Sequence, residues 1–410
     1  MDAIAMEWGS LLLRWVHIIT GIAWIGSSFY FMHLDAALRA GPAIPVGQGG
    51  EAWEVHGGGF YYVRKYLVAP ENLPKELMWH KWESYATWIS GFFLLVWVYY
   101  LSADIYLIDP AVRKISPGVA ALIGVGGLAL GWLVYDALCK SPLARNDVAL
   151  AAVGFGFIIL MAFIFQQVFS ARGAFVHTGA LMATMMTANV FLVIIPNQSK
   201  VVASLLAGVA PDPKYGEIGK IRSTHNNYLT LPVLFLMLSG HYPLTYSSPY
   251  AYIVVGLVLV AGALVRYFYN QRHLGLGDKW WTWLVAAFAM ACAVWISMPA
   301  SSVGREALGL APLAPTSPPA GLPRAPREVA EIIGLRCAMC HAETPAWPGL
   351  ATAPKGIRLD HPEYVERYKQ EVRLFAGLTR AMPPNNLSEM TEDERNVILR
   401  WGAGRTARAP

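Results

Sequence analysis

Cys337-Ala338-Met339-Cys340-His341 has the C-x-x-C-H spacing at which two thiols form thioethers to the vinyl groups of a haem while the next imidazole ligates its iron. Other uses of a C-x-x-C pair need partners this chain does not supply. A structural zinc site wants a second Cys/His pair at finger spacing, and the only later histidine is His361, alone. A thioredoxin-type pair sits in a βαβ context, which the flanking sequence lacks. The motif predicts one covalent haem c, held by Cys337 and Cys340, with His341 as an axial metal ligand. The sixth ligand is expected to be Met382, in Arg380-Ala381-Met382-Pro383-Pro384, 41 residues after His341. Met390 is the rival, but it immediately precedes a helix start. That helix opens on Thr391 with Glu394 three residues later, a capping-box pattern, and carries Val397, Ile398 and Trp401. A thioether ligand raises the reduction potential, so this segment is expected to accept and relay electrons.

A second group of chemically competent side chains stands within or beside apolar runs, where polar groups are costly and face a bundle interior or a cavity. One layer holds His17, Gln166, Gln167 and His177. The other holds His33, Asp35, His80, Glu83, Asn197, Gln198 and the run Arg222-Ser223-Thr224-His225-Asn226-Asn227, while Asn189 and Arg266 lie deeper than their flanking loops. His17 shares a helical face with Gly21, Trp24 and Ser28, and small residues beside it would admit a flat macrocycle. His177, with Gly179 and Ala183 nearby, falls in the same half. Two readings stay open for this pair: a haem b bound between them, or histidines that only hydrogen-bond neighbouring helices. Arg222, His225, Asn226 and Asn227, approached by Asn197 and Gln198, combine a fixed cation, amides and an imidazole. That set suits a catalytic site for a planar anionic heterocycle; helix capping and interfacial snorkelling would use the same residues.

The elements that must position these groups follow from composition. Of 410 residues, 55% are hydrophobic and only 14% charged, against about 25% charged in soluble proteins. Fifteen tryptophans and nineteen tyrosines suit membrane interfaces. An ordinary soluble enzyme, a disulfide scaffold (four cysteines) and extensive disorder are all excluded, and a net charge of +5 gives no argument for nucleic acid. Apolar runs predict helices at roughly 8–34, 84–108, 117–137, 147–170, 173–196, 227–240, 248–270 and 280–299, the sixth short unless it begins near Ile218 and kinked by Pro232. The expected class is all-α: a polytopic transmembrane bundle over 1–300, a Pro-rich linker over 301–326 and a small class I cytochrome c domain over 327–410. Residues 312–326 hold six prolines in fifteen positions, a semi-rigid extended tether. Loops after the odd helices carry thirteen Lys or Arg, those after helices 2, 4 and 6 only Arg113, Lys114 and Arg172. The positive-inside rule then puts both termini outside. The opening MDAIAMEWGS has no basic n-region and is expected to lead into an uncleaved anchor helix. Haem c is attached outside the bacterial cytoplasmic membrane, so motif and charge count agree.

The stretches His17–Phe31 (HIITGIAWIGSSFYF), Met78–Glu83 (MWHKWE), Ala188–Val201 (ANVFLVIIPNQSKV) and Ile221–Gly240 (IRSTHNNYLTLPVLFLMLSG), followed by CAMCH, resemble the bacterial membrane-bound urate oxidases, or urate hydroxylases, with a fused cytochrome c domain. The resemblance covers nearly the whole chain, in order. It implies oxidation of urate to 5-hydroxyisourate in purine catabolism, at the inner membrane, with water as the oxygen source. It also implies electron flow through the periplasmic haem iron to a respiratory-chain acceptor, without hydrogen peroxide. The first-helix pattern His-x₆-Trp-x-Gly is similar to small haem b membrane proteins such as the bacterial protoporphyrinogen oxidase. A haem takes one electron at a time, so a two-electron substrate needs a second store or two sequential steps, which favours another redox centre. The alternative is a membrane electron-transfer subunit or transporter with an appended cytochrome.

Overall fold

The computed structural model describes residues 3–40, 48–66, 70, 73–74, 76–311, 317–318 and 320–404. Lys75 of the charge count, residues 312–316 and 319 of the linker, and residues 405–410 lie outside the described residues.

The apolar runs form a helical bundle. α1 (Ala3–Ala37) leads to α2 (Trp82–Leu95), which widens into a π-helical turn at Val96–Tyr100, and to a short α3 (Ala103–Tyr106). Then come α4 (Pro117–Lys140), α5 (Asp147–Gln166), and a rod made of α6 (Ala171–Ala188), a π-turn at Asn189–Ile194 and α7 (Ile195–Leu206). The π-turn directly precedes Pro196, which has no N–H to close an α-turn. α8 (Lys214–Ser239), α9 (Ala251–His273) and α10 (Trp281–Ser297) complete the bundle. Among the described residues, six helical segments are long and apolar enough to cross a membrane: Ala5–Ala37, Pro117–Lys140, Asp147–Gln166, Ala171–Leu206, Ala251–His273 and Trp281–Ala300. The other two expected spans are present as α2 and α8. α8 begins at Lys214, close to the earlier start expected near Ile218 rather than at 227, and its polar first half lowers its hydropathy.

Inside the bundle, Leu107, Phe165, Phe169, Leu181, Met182 and Leu236 are fully buried. Its outer faces stay apolar: Leu122, Leu133, Leu284, Phe288 and Trp295 are exposed. An apolar perimeter around a packed core is the pattern of a bundle solvated by lipid.

The all-α expectation needs one correction. Residues 48–66 form an antiparallel hairpin, β1 (Gln48–His56) with β2 (Gly59–Tyr66). Gly57 and Gly58 both have positive φ, the primed-turn geometry that matches strand twist. Strands of nine and eight residues are too short to register as apolar runs of about 20 residues.

After a short α11 (Ser302–Ala307) the C-terminal unit packs α12 (Arg327–Arg336), α13 (Ala338–His341), α14 (Pro362–Arg367), α15 (Lys369–Val372), a π-turn at Arg373–Leu378 and α16 (Glu392–Gly402) around Val329, Ile333, Val365, Ile398 and Trp401. The capping box forms as expected: Glu394 N–H donates to Thr391 Oγ1 at 3.3 Å and Thr391 N–H to Glu394 Oε2 at 2.7 Å.

The linker was expected only to tether this unit, but the unit is docked. Arg367 Nη2 donates to the carbonyls of Ile105 at 3.2 Å and Ile108 at 2.7 Å, and the Tyr106 hydroxyl donates to Glu371 Oε1 at 3.3 Å. Ile105 packs against the unit's own core. The loops it rests on are those the charge count placed on the same side as the C-terminus. Each hydrogen bond from a charged donor is worth roughly 1.5–3 kcal/mol. Arg367→Ala should therefore speed hydrogen exchange at 103–109 and 362–372 about tenfold or more, while Ile333 and Ile398 stay protected. Unchanged exchange in both segments would show that Arg367 does not hold the contact.

Candidate functional site

The Cys-x-x-Cys-His segment is one turn of helix. Cys337 caps α13, and the His341 N–H bonds back to its carbonyl at 2.9 Å. This turn brings Cys337, Cys340 and His341 together. His341 Nδ1–H donates to the Ile357 carbonyl at 2.9 Å, which fixes the ring and leaves Nε2 for another partner. Burial lowers the His341 pKa, and the bond to Ile357 only partly opposes this. The neutral imidazole is thus the favoured form. Burial also pushes the Cys337 thiol up to about 12.

Met382 is 37% exposed, whereas Met390 is 3% exposed and packed in the unit's core. The backbone around Met382 is held from below: Arg395 Nη1 donates to its carbonyl at 2.9 Å and to that of Ala376 at 2.5 Å. Apolar side chains flank the motif. Trp347, whose N–H bonds the Met339 carbonyl at 3.0 Å, and Leu387, next to Ser388 on the Arg336 carbonyl, are both exposed. Two thiols, a pre-oriented imidazole and an accessible thioether beside exposed apolar side chains fit a covalently held haem.

His17 and His177 are engaged separately. His17 Nδ1–H points to the Thr87 carbonyl at 3.0 Å, with the Ser90 hydroxyl at 3.3 Å, against α2. His177 is fully buried, with Nδ1 on the Gly173 carbonyl at 2.8 Å and Nε2 on the Tyr100 hydroxyl at 3.1 Å. A Cβ on Gly124 would lie 2.5 Å from that hydroxyl and 2.8 Å from Nε2, so α4 closes over the pair. With both His177 nitrogens bonded to protein, these residues present no pair of free imidazole nitrogens, and the donor set does not fit a haem held between them in this arrangement.

The run at the start of α8 divides over two faces, because neighbouring residues of a helix project about 100° apart. Arg222 and Asn226 turn towards α4 and the rod. Arg222 Nη2 pairs with Asp136 at 2.6 Å, and Nη1 donates to Asn189 Oδ1 at 3.0 Å. Asn189 Nδ2 reaches Asn226 Oδ1 at 2.8 Å and the Tyr135 hydroxyl at 2.9 Å, and Asn226 Nδ2 reaches the Met186 carbonyl at 2.9 Å. His225 Nδ1 meets the same Tyr135 hydroxyl at 2.8 Å. The cation expected to be free for a ligand is thus balanced by Asp136. Asp136 and Tyr135, one helical repeat below the end of α4, were not anticipated; their polar types inside an apolar run were the available signal.

Asn227 turns the other way, to α9. Arg266 Nε donates to its Oδ1 at 3.1 Å and Arg266 Nη2 to Asn270 Oδ1 at 3.3 Å. Asn197 and Gln198 do not join either network among the described residues. Gln198 lines a groove of about 350 Å³ with Trp79 and Tyr215. Gln166 anchors the Ser248 and Pro249 carbonyls at 3.2 and 3.0 Å.

A helical bundle with apolar outer faces and two buried arginine–amide networks, carrying a docked unit that holds two thiols, an imidazole and a thioether, is the architecture in which these side chains are held. The chain belongs to the urate oxidase N-terminal family, which it matches over residues 3–297. Comparison with curated proteins and with solved structures gave no match. The family points to an oxidoreductase acting on urate. Its match ends before the C-terminal unit, so the reading of that unit rests on its own residues.

If a haem c is held by this unit with Met382 as its sixth ligand, Met382→Ala should abolish the thioether–iron absorption at the red edge of the oxidised spectrum and lower the potential. Met390→Ala should leave the spectrum alone and cost about 2–5 kcal/mol of unit stability. The reverse pattern would make Met390 the ligand.

Proposed function

We propose that this chain is a membrane-bound urate oxidoreductase whose electrons leave through a covalent haem c in the C-terminal unit. The observation that carries the reading is the fusion of a urate oxidase N-terminal bundle to a docked unit with the Cys337, Cys340, His341 and Met382 donor set. In the balanced reaction, urate and water give 5-hydroxyisourate, two protons and two electrons. Water oxygen bonds to C5 of the purine, and no dioxygen is reduced. A haem c at this site supplies one-electron acceptance at a potential raised by its thioether ligand. From there a respiratory-chain carrier or terminal oxidase takes the electrons.

The protein's own residues do the rest. The bundle buries the reacting purine away from bulk water, and its buried amides fix a planar anion. Imidazoles at the basic end, His225 with Nδ1 held by Tyr135 and the His33–His273 pair with ring centres 4.4 Å apart, can each take a proton as the electrons depart. The lysine- and arginine-rich loops belong on the cytoplasmic side. The C-terminal unit, docked at the opposite end, then belongs in the periplasm, with the bundle in the inner membrane.

Under argon, the haem-loaded full-length protein should show urate-dependent reduction of its haem band, and a C-terminal alkaline phosphatase fusion should be active in cells. A haem that ignores urate would instead indicate an electron-transfer subunit or transporter, and an inactive fusion would overturn the topology.

A further inference from the structure

The two buried arginines of the bundle differ in one respect. Arg222 has a carboxylate, Asp136, and every amide around it has a partner. Arg266 is 6% exposed and forms no ion pair among the described residues; its contacts are the amide oxygens of Asn227 and Asn270 and the face of Phe29, 4.1 Å from the guanidinium carbon. A charge removed from water without a counter-ion is costly, and a cation–π contact offsets only a part, about 2 kcal/mol when desolvated. Beside it, Asn227 is fully buried and its Nδ2 has no hydrogen-bond partner. An unbalanced cation and an unused donor on adjacent side chains are each satisfied by the same thing, an anion carrying acceptors.

The surroundings narrow its chemistry. Arg266 sits seven residues before His273, the last residue of α9, so about 10 Å in from the basic end. There the His33 and His273 rings meet. Pro232 has no N–H for the Tyr228 carbonyl, and its ring lies against Gly262, where a Cβ would come within 2.7 Å. The backbone of α8 is therefore loosened next to Asn227, one turn of α9 from Arg266. A guanidinium fork matches two parallel acceptors in one plane, as a deprotonated ring nitrogen and its neighbouring carbonyl present them. Asn227 Nδ2 supplies a third donor, and the Asn227 and Asn270 oxygens, which now satisfy the arginine, can accept ring N–H groups instead.

The geometry points to a binding site for the planar urate monoanion at Arg266, Asn227 and Asn270, on the seam of α1, α8 and α9 and reached from the basic end. This inference rests on the urate reading above and replaces Arg222 with Arg266 as the cation that meets substrate.

The test uses full-length, haem-loaded protein in detergent, measuring urate binding by calorimetry and urate-dependent haem reduction. Arg266→Gln should weaken binding at least tenfold, the scale of one charge-assisted hydrogen bond. Asn227→Asp installs an internal counter-ion, so it should weaken binding as much while raising or preserving the unfolding temperature; this separates lost binding from lost folding. Asn227→Asp or Arg266→Gln protein with the parent's urate affinity and KM would overturn the site while leaving the urate activity intact. Equal competition by chloride or inorganic phosphate would also overturn it, as an unselective anion pocket. A parent protein that neither binds nor oxidises urate would instead remove the functional reading itself.

Discussion

The cost of burying a guanidinium in a low-dielectric bundle organises the N-terminal part of this protein. Removing one partner of a buried ion pair typically costs about 3–5 kcal/mol, because the other charge is stranded. Arg222, 4% exposed, meets that constraint by pairing with Asp136, and its Nη1 also donates to Asn189. The result ties α4, the rod and α8 together at one level. It also gives the π-turn at Asn189–Ile194 a purpose, since the widened turn carries the amide that bridges Arg222, Asn226 and Tyr135. Arg266 has no carboxylate among the described residues and rests on the Asn227 and Asn270 amide oxygens and the face of Phe29, so the two networks meet the same constraint by different means.

At the opposite end the bundle is aromatic. Tyr99 and Tyr100 stand on the other π-turn, with Tyr99 6.2 Å from His177 and 6.3 Å from Tyr106 between ring centres. Tyr106 then hydrogen-bonds Glu371 of the docked unit. Short steps between polarisable rings thus run from the buried interior to the contact that the C-terminal unit makes through Glu371 and Arg367. A merely tethered unit would leave this spacing to chance; docking fixes it.

How much of this could be read from sequence depended on how local each cause was. That Cys337, Cys340 and His341 lie together was plain because five consecutive residues fit one helical turn, and the pairing of Thr391 with Glu394 because a capping box is closed within four residues. Apolar runs placed the helices, although the polar first half of α8 hid its start. Asn226 and Asn227 were read as one recognition set because they are adjacent, yet helical geometry sends them to different partners. Asp136, Tyr135 and Asn270 are ordinary residues in sequence; only the crossing of α4, α8 and α9 gives them arginines to meet. The Arg367 contact joins positions some 260 residues apart, and nothing local marks it. The hairpin's local signal is the Gly57–Gly58–Gly59 run, whose positive-φ residues form its turn; its strands carry no regular apolar–polar alternation to mark them.

The central claim is that the electrons of urate leave through the C-terminal unit and the new oxygen comes from water. The most direct measurement is a turnover in ¹⁸O-labelled water under unlabelled air, with mass analysis of freshly formed 5-hydroxyisourate and a parallel peroxide assay. The account predicts one ¹⁸O at C5 and no peroxide, with the same product formed under argon when an external electron acceptor is supplied. Peroxide formed in step with urate loss, and no turnover under argon with that acceptor present, would contradict it.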